Sequence, residues 1–294
     1  MFGQSGFIAV DWGTTNRRAY RVAAEGRLDA EFEDDCGVLS IVAGGFPAAV
    51  AEIRDRLGDW PMLLAGMVGS NKGWAEAPYV PCPGGFDELA ANVVWIEPGR
   101  SAIVPGLSYL AGDRADVMRG EEVQMLGAVA RGLIPKDGLA CHPGTHNKWV
   151  SLEGGRITAF RTIMTGELFN LLKQNGILAA WLQSSVEPDE AFRAGVRQGL
   201  KGGALTADLF AVRARVLLGE ARAEDAASFT SGLLIGADVC TGLKDGRGEV
   251  TVIGRLELTR LYAVAIGEAG RVAHEVDGEQ AFLAGIVEVA RRMA

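Results

Sequence analysis

Two short stretches carry residue types that can do chemistry together. In FIAVDWGTTNRRAYRV, Phe7 to Val22, an apolar run stops at Asp11, and a glycine and two threonines follow before a basic, alternating run. Further on, Gly144-Thr145-His146-Asn147-Lys148 repeats the pattern of Gly13-Thr14-Thr15-Asn16-Arg17, G-T-x-N-[R/K]. Glycine lets a backbone come close to a ligand. Successive turn N–H groups form a concavity that binds anions, and threonine hydroxyls add donors. Two such turns facing each other would clamp a polyphosphate from both sides. Only the first copy has an aspartate two residues before its glycine; the second has His142 there. One carboxylate suits one Mg²⁺ held mainly through water and phosphate oxygens. The pair therefore points to the phosphates of ATP and their magnesium. Gly13, Thr14, Thr15, Asn16, Gly144, Thr145 and His146 are placed at the nucleotide, and Asp11 at the metal. The bland alternatives are two ordinary hairpin turns and a turn-capping aspartate. His142 and His146 have H-x-x-x-H spacing, but Pro143-Gly144 between them argues against a helical zinc pair.

The surrounding elements must hold these turns. GFIAV, RRAYRVAA and RLDAEFED read as three strands, FPAAVAEIRDRLG as a helix ending at glycine, and PMLLAGM as a buried strand. Residues 67 to 85 read as a long loop rich in Gly, Pro and Trp, and long loops in compact domains are often functional. VVWI and SAIVPG read as further short strands. MRGEEVQMLGAVARG reads as a helix that opens on two carboxylates, where the helix dipole favours them. The pattern then restarts. GLACHPG is a strand into a turn, and KWVSLEGGRITAFRT a strand, a Gly-Gly turn and a strand. Helices follow near 165–175, 188–200, 206–217 and 225–242. EVTVIG is a strand ending at Gly254, RLELTRLYAVAIG a helix, and GEQAFLAGIVEVARRMA a final amphipathic helix. Each copy of the turn thus sits between two strands, and each second strand ends at a turn, Gly26-Arg27 and Gly155-Arg156. Such self-similarity predicts two related domains. Their boundary is expected near residues 112–120, giving an N-terminal domain over 1–115 and a C-terminal domain over 116–294, with the last helix a candidate to pack back on the first.

Bulk properties exclude several classes. The 294 residues suffice for two ordinary cores. A net charge of −8, with six scattered lysines, disfavours nonspecific nucleic-acid binding. The four cysteines, Cys36, Cys82, Cys141 and Cys240, form no C-x-x-C pair, which fits a reducing cytoplasm. No basic segment followed by an apolar one opens the chain, so no signal peptide is expected. No apolar run approaches the ~18 residues of a membrane span. None of the lysines follows a glycine, which removes the G-x-x-x-x-G-K-[ST] phosphate loop. Gly246-Arg247-Gly248 is a G-x-G without the third glycine of a dinucleotide site.

AVDWGTTN resembles the first phosphate loop of the actin/hexokinase/Hsp70-type ATPase fold, and PGTHNKW its second. AGMVGSNKGWAEAPYVP, VMRGEE, FRTIMTGEL and SGLLIGADV together resemble the 2-dehydro-3-deoxygalactonokinase family over nearly the whole chain. The resemblance implies a two-lobed α/β fold with duplicated sheets and an ATP cleft between them. It implies transfer of the ATP γ-phosphoryl group to the 6-hydroxyl of 2-dehydro-3-deoxy-D-galactonate in galactonate catabolism. It also implies a catalytic acid at the start of the helix before the second phosphate loop. Glu121, after Gly120, takes that role first, with Glu122 and Asp116 as alternatives; a first-turn charge pair at the helix dipole is the bland reading. Asp11 joins it as the magnesium-organising carboxylate. Gly69, Ser70, Asn71, Lys72 and Trp74 in the long loop are candidates for the sugar acid. Arg119 and Arg161 are candidates for its carboxylate, which an arginine fork suits. Gly254, at a strand-to-helix turn, is the candidate for the adenosine pocket. The expected partners are ATP with Mg²⁺ and a small sugar acid, with no nucleic acid and no membrane; a homodimer stays open. The alternatives are a kinase of the same fold acting on another sugar or sugar acid, and a non-catalytic ATP-binding regulatory protein.

Overall fold

The computed structural model describes residues 6–293. Ala294, the last residue of the expected final helix, lies outside them. The chain forms two compact units. Unit 1 holds the chain up to Lys136, then Glu153–Ala159, then Glu279 onward; unit 2 holds Asp137–Leu152 and Phe160–Gly278.

In unit 1, β1 (Phe7–Trp12), β2 (Arg17–Val22), β3 (Leu28–Asp34), β4 (Met62–Gly66), β6 (Val94–Glu97) and β7 (Ser101–Ile103) form one sheet in the order β3-β2-β1-β4-β7-β6. β1 runs antiparallel to β2 and parallel to β4. Their apolar runs are continuous because both faces of a central parallel pair are covered. Ile8, Val10, Met62 and Leu64 meet Val50 and Ile53 of α1 (Phe46–Leu57) in the core. The Trp12 and Phe46 rings meet edge-on at 5.7 Å.

The second large sheet joins β10 (Gly138–His142), β11 (Asn147–Glu153), β12 (Arg156–Ile163), β13 (Val250–Gly254) and β14 (Ala273–Asp277) in the order β12-β11-β10-β13-β14; it lies in unit 2 except for Glu153 of β11 and Arg156–Ala159 of β12, which fall in unit 1. Its pairing repeats the first. β10 is antiparallel to β11 and parallel to β13. The repeat read from five residues is therefore a repeat of topology.

The helices of unit 2 are α4 (Thr165–Asn175), α5 (Glu190–Leu200), α6 (Leu205–Leu217), α7 (Ala226–Gly242) and α8 (Leu256–Glu268). Glycines set how closely α5 and α7 pack. A Cβ on Gly195 would stand 2.1 Å from the Phe229 carbonyl oxygen, and one on Gly232 2.0 Å from that of Phe192. Gly199 and Gly236 lie against the facing backbone in the same way. Residues 223–245 are long and apolar enough to cross a membrane, contrary to the expectation from apolar runs, but 72% of that window is buried within the protein. This is a core helix.

Four parts differ from the sequence reading. Residues 67–85 are not all loop, since a 3-10 turn spans Met67–Gly69 and β5 spans Tyr79–Pro81. β5 pairs with β8 (Gly106–Ala111), and β8 with β9 (Arg114–Met118), in a second small sheet of unit 1. α2 (Phe86–Ala91) and β14 were also unanticipated. The division falls after Lys136, not after residue 115. The reason is packing: α3 (Glu121–Ala130) belongs to unit 1, where Gly127 lies against the backbone of Ala281 and Gly285 on α9 (Gly278–Arg292).

Candidate active site

The first turn is built so that its carbonyls are taken, and Gly13 N closes it by donating to Asn16 O at 2.9 Å. Trp12 pairs with Arg17 across the β1–β2 hairpin, enclosing Gly13 to Asn16. The backbone of residues 37–39 runs beneath. Val38 N donates to Gly13 O at 3.0 Å, Leu39 N to Thr14 O at 3.1 Å and Gly37 N to Thr15 O at 3.1 Å. A Cβ on Gly37 would stand 2.4 Å from Thr14 O, so only glycine passes there. Among the described residues no backbone carbonyl takes the N–H of Thr14 or Thr15, and both residues are exposed. The Asn16 amide donates to Asp35 at 2.9 Å and its oxygen accepts from Thr15. Arg17 is buried and pairs with Asp34 and Glu52, so the basic residue of the motif is a structural ion pair.

The second turn repeats this plan. His142 pairs with Lys148 around Pro143 to Asn147. Glu167 N donates to Thr145 O at 2.9 Å, and Lys148 Nζ to His146 O at 2.9 Å. A Cβ on Gly166 would stand 2.5 Å from Gly144 O, which makes Gly166 the counterpart of Gly37. Gly144 itself has open space where a Cβ would point. The His146 ring pairs with Glu167. Gly254 lies beside this turn, where a Cβ would stand 3.8 Å from Pro143.

Beneath the second turn Asp238 of α7 is only 2% exposed. Its carboxylate accepts from Asn147 Nδ2 at 2.9 and 3.0 Å, Trp149 Nε1 at 2.6 Å, Tyr262 OH at 2.6 Å and Thr165 Oγ1. Burial pushes its carboxyl up, against the hydrogen bonds from Thr165, Trp149, Tyr262 and Asn147. The sequence reading missed this group. Its one signal was an aspartate inside the otherwise apolar SGLLIGADV.

Three backbone segments of unit 1 meet at the end of β1. A Cβ on Gly66 would stand 2.8 Å from Trp12 O, and one on Gly120 3.1 Å from Gly66 Cα. Both glycines have positive φ, 93° and 105°, which side-chain-bearing residues rarely adopt. This junction places Asp11 on β1 and Glu121 at the first turn of α3 on adjoining segments. Glu121 is half-exposed and accepts from Arg119 N at 3.1 Å. Glu122 has no exposure, and the Gly120 N–H is shared by its two oxygens at 2.9 and 2.8 Å. Burial, then the Glu121 charge, pushes its carboxyl up to about 8. Asp116 lies on β9, the edge strand of the small sheet, not on α3.

The sugar-acid candidates divide. Arg119, 7% exposed, lies against Gly69, stacks on Tyr79 at 4.3 Å and donates Nη2 to Ala77 O at 2.7 Å. Its Nε and Nη1 are buried with no partner among the described residues. Ser70 Oγ donates to Met67 O and so closes its own loop. Asn71 and Lys72 are exposed, and Trp74 is partly buried against the unit 1 core. Arg161, in unit 2, is held bidentately by Asp245 at 2.6 and 3.0 Å.

Two α/β units whose sheets repeat the same central pairing, each with a glycine-threonine turn on its first hairpin, define the actin/hexokinase-like fold. The activator of 2-hydroxyisocaproyl-CoA dehydratase from Clostridium difficile, solved with ADPNP, has this fold; it aligns over 98% of this chain and 95% of its own, at TM-score 0.52 and 11% identity. The chain belongs to the 2-keto-3-deoxy-galactonokinase family, whose profile matches residues 11–289. It is 38% identical over 297 residues to the 2-dehydro-3-deoxygalactonokinase of Escherichia coli K12, covering 98% of each. A crystal structure from Sinorhizobium meliloti, provisionally named a 2-dehydro-3-deoxygalactonokinase, aligns over 97% of this chain and 98% of its own at TM-score 0.90 and 33% identity. The chain is a kinase, an enzyme of phosphoryl transfer.

Proposed function

We propose that this kinase transfers the γ-phosphoryl group of ATP to the 6-hydroxyl of 2-dehydro-3-deoxy-D-galactonate, releasing ADP and the 6-phosphate, in the cytoplasm as part of galactonate catabolism. The observation that carries the substrate is the family match over residues 11–289. The observation that carries the nucleotide is the pair of turns with braced carbonyls and offered amides.

In this reading Thr14 and Thr15, with Gly144, Thr145 and His146, bind phosphate through backbone amides and hydroxyls, and Gly13, whose own N–H donates to Asn16 O, lets the phosphate come close. Asn16 latches its turn through Asp35. Gly254 lets adenosine approach β13. Asp11, a single carboxylate at the end of β1 beside the first turn, would hold one Mg²⁺ mainly through water and phosphate oxygens. The ion, when bound, neutralises charge on the transferring group. Glu121 takes the proton of the attacking hydroxyl. Its half-exposed place at the α3 terminus supports that role over buried Glu122. Arg119 takes the substrate carboxylate, supported by its two unpartnered donors beside Gly69. Asn71, Lys72 and Trp74 line the same loop, with Ser70 closing it. Arg161 is committed to Asp245, which leaves it a role in holding unit 2.

ADP release with Mg-ATP over a panel tests the substrate: 2-dehydro-3-deoxygalactonate, its gluconate epimer, galactonate, common hexoses and no sugar. Fast turnover confined to the first compound is expected. Equal turnover with a neutral hexose would remove the sugar-acid assignment, and ATP binding without sugar-stimulated turnover would favour a regulatory protein. Gly144→Val tests the turn. A Cβ there meets no protein atom within 4 Å, so the variant should melt close to the parent and lose nucleotide affinity by at least about tenfold, the loss expected when a binding group is blocked by a misplaced one. Unchanged ADP affinity by calorimetry would move the phosphates elsewhere.

A further inference from the structure

Both phosphate turns are latched by an asparagine on an aspartate, but the two latches differ. In the first, Asn16 holds Asp35, two residues before the bracing Gly37, and the pair is exposed. In the second, Asn147 holds Asp238, which comes from α7, 91 residues further along the chain, and the pair is buried. The same carboxylate binds Thr165, the residue directly before the bracing Gly166. It also binds Trp149 on β11 and Tyr262 on α8. One carboxylate therefore fixes the end of the turn, the strand that leaves it and the segment that backs it.

We propose that Asp238 is the positioning residue of the second phosphate turn: through Asn147 and Thr165 it sets the register of Gly144-Thr145-His146 against the start of α4, and thereby the affinity for the nucleotide phosphates. The inference rests on the reading of that turn as a phosphate site. The physical ground is the balance of donors. A fully buried carboxylate surrounded by four side-chain donors is satisfied in one arrangement only, and loss of any donor or acceptor leaves an unpaired buried group. Thr145 and His146 are exposed and are held from behind by the start of α4, which Asp238 anchors through Thr165.

The test is a set of single substitutions read by ADP calorimetry, steady-state kinetics and melting. Asp238→Asn turns part of the acceptor into a donor facing donors. Thr165→Val removes the hydroxyl while keeping the shape. Both should raise the KM for ATP and the Kd for ADP by about tenfold or more, as small displacements of binding groups do. The KM for the sugar acid should stay within about twofold, because uniform binding of the other substrate is untouched. Gly232→Ala overpacks the α5–α7 crossing, where a Cβ would stand 2.0 Å from the Phe192 carbonyl oxygen, and leaves all four donors to Asp238 in place. It should lower the melting temperature yet leave the KM for ATP within about twofold. If Thr165→Val and Asp238→Asn bind ADP like the parent, the proposal is wrong. If Gly232→Ala weakens ATP as much as Thr165→Val does, general loosening explains the effect and positioning is again refuted. Should Asp238→Asn fail to fold, Thr165→Val decides alone. Gly144→Val separates the two layers: normal ADP binding there overturns the phosphate turn and this inference with it. Weakened binding in Gly144→Val beside normal binding in Thr165→Val overturns the inference alone.

Discussion

Glu121 and Glu122 are neighbours with opposite surroundings. The helix start turns one outward beside the Trp12–Gly66–Gly120 junction and the other into the core. Glu121→Gln is expected to lower kcat by roughly 10²–10⁴-fold, the usual worth of a general base. ADP affinity should hold, and undiminished turnover would return the role to Asp116. Glu122 is legible in the pH dependence of stability. Its folded value, pushed up to about 8 by burial and then by Glu121, lies above the ~4.3 of a glutamate in an unfolded chain. Between those values the folded state holds a proton that the unfolded state has released. The resulting stability is full below pH ~4.3 and disappears as pH rises through about 8. The melting temperature of the parent should therefore fall between pH 5 and pH 9 by several degrees relative to Glu122→Gln, at roughly 2–4 °C per kcal/mol for a chain this large. Parallel melting curves would show that Glu122 is ionised in the fold.

At the scale of elements, the phosphate turns were legible because two five-residue copies each sat between apolar and alternating runs. The central strands and long helices were legible for the same reason: burial on a regular face leaves a periodic trace. β8 and β9 left none, since Leu110 is 78% and Val117 48% exposed and neither face repeats. β14, AHEVD, is a polar edge strand. Asp238 was hidden by a different cause. Its partners lie on three other elements, and spacing along one sequence does not reveal donors that converge in space. The α5–α7 crossing was invisible as well, because helix glycines read as weakness. Here they admit the facing backbone. Gly232→Ala puts a methyl group 2.0 Å from the Phe192 carbonyl. It should destabilise the protein by about 1–3 kcal/mol, as overpacking does, despite the better helix propensity of alanine. A denaturant midpoint equal to or above the parent's would mean the helices separate at no cost.

On the scale of the whole molecule, the chain is two units with interleaved connectivity. Unit 1 is begun by the first strands and completed by α9, whose Gly285 lies against the Val123 carbonyl of α3 and whose Phe282 ring lies 5.9 Å from that of Tyr20. A chain ending before Glu279 should therefore lose the cooperative melting of unit 1, with Val123 and Tyr20 uncovered, and bind a hydrophobic dye. Native melting of that shortened chain would show that α9 is dispensable. The same connectivity has a meaning during synthesis. Domains ordinarily finish in the order in which they leave the ribosome. Here the second unit can be finished while the first still waits for its last helix. A chain synthesised only as far as Gly278 has one finished unit and one that exposes apolar surface, which is the surface that chaperones and proteases detect.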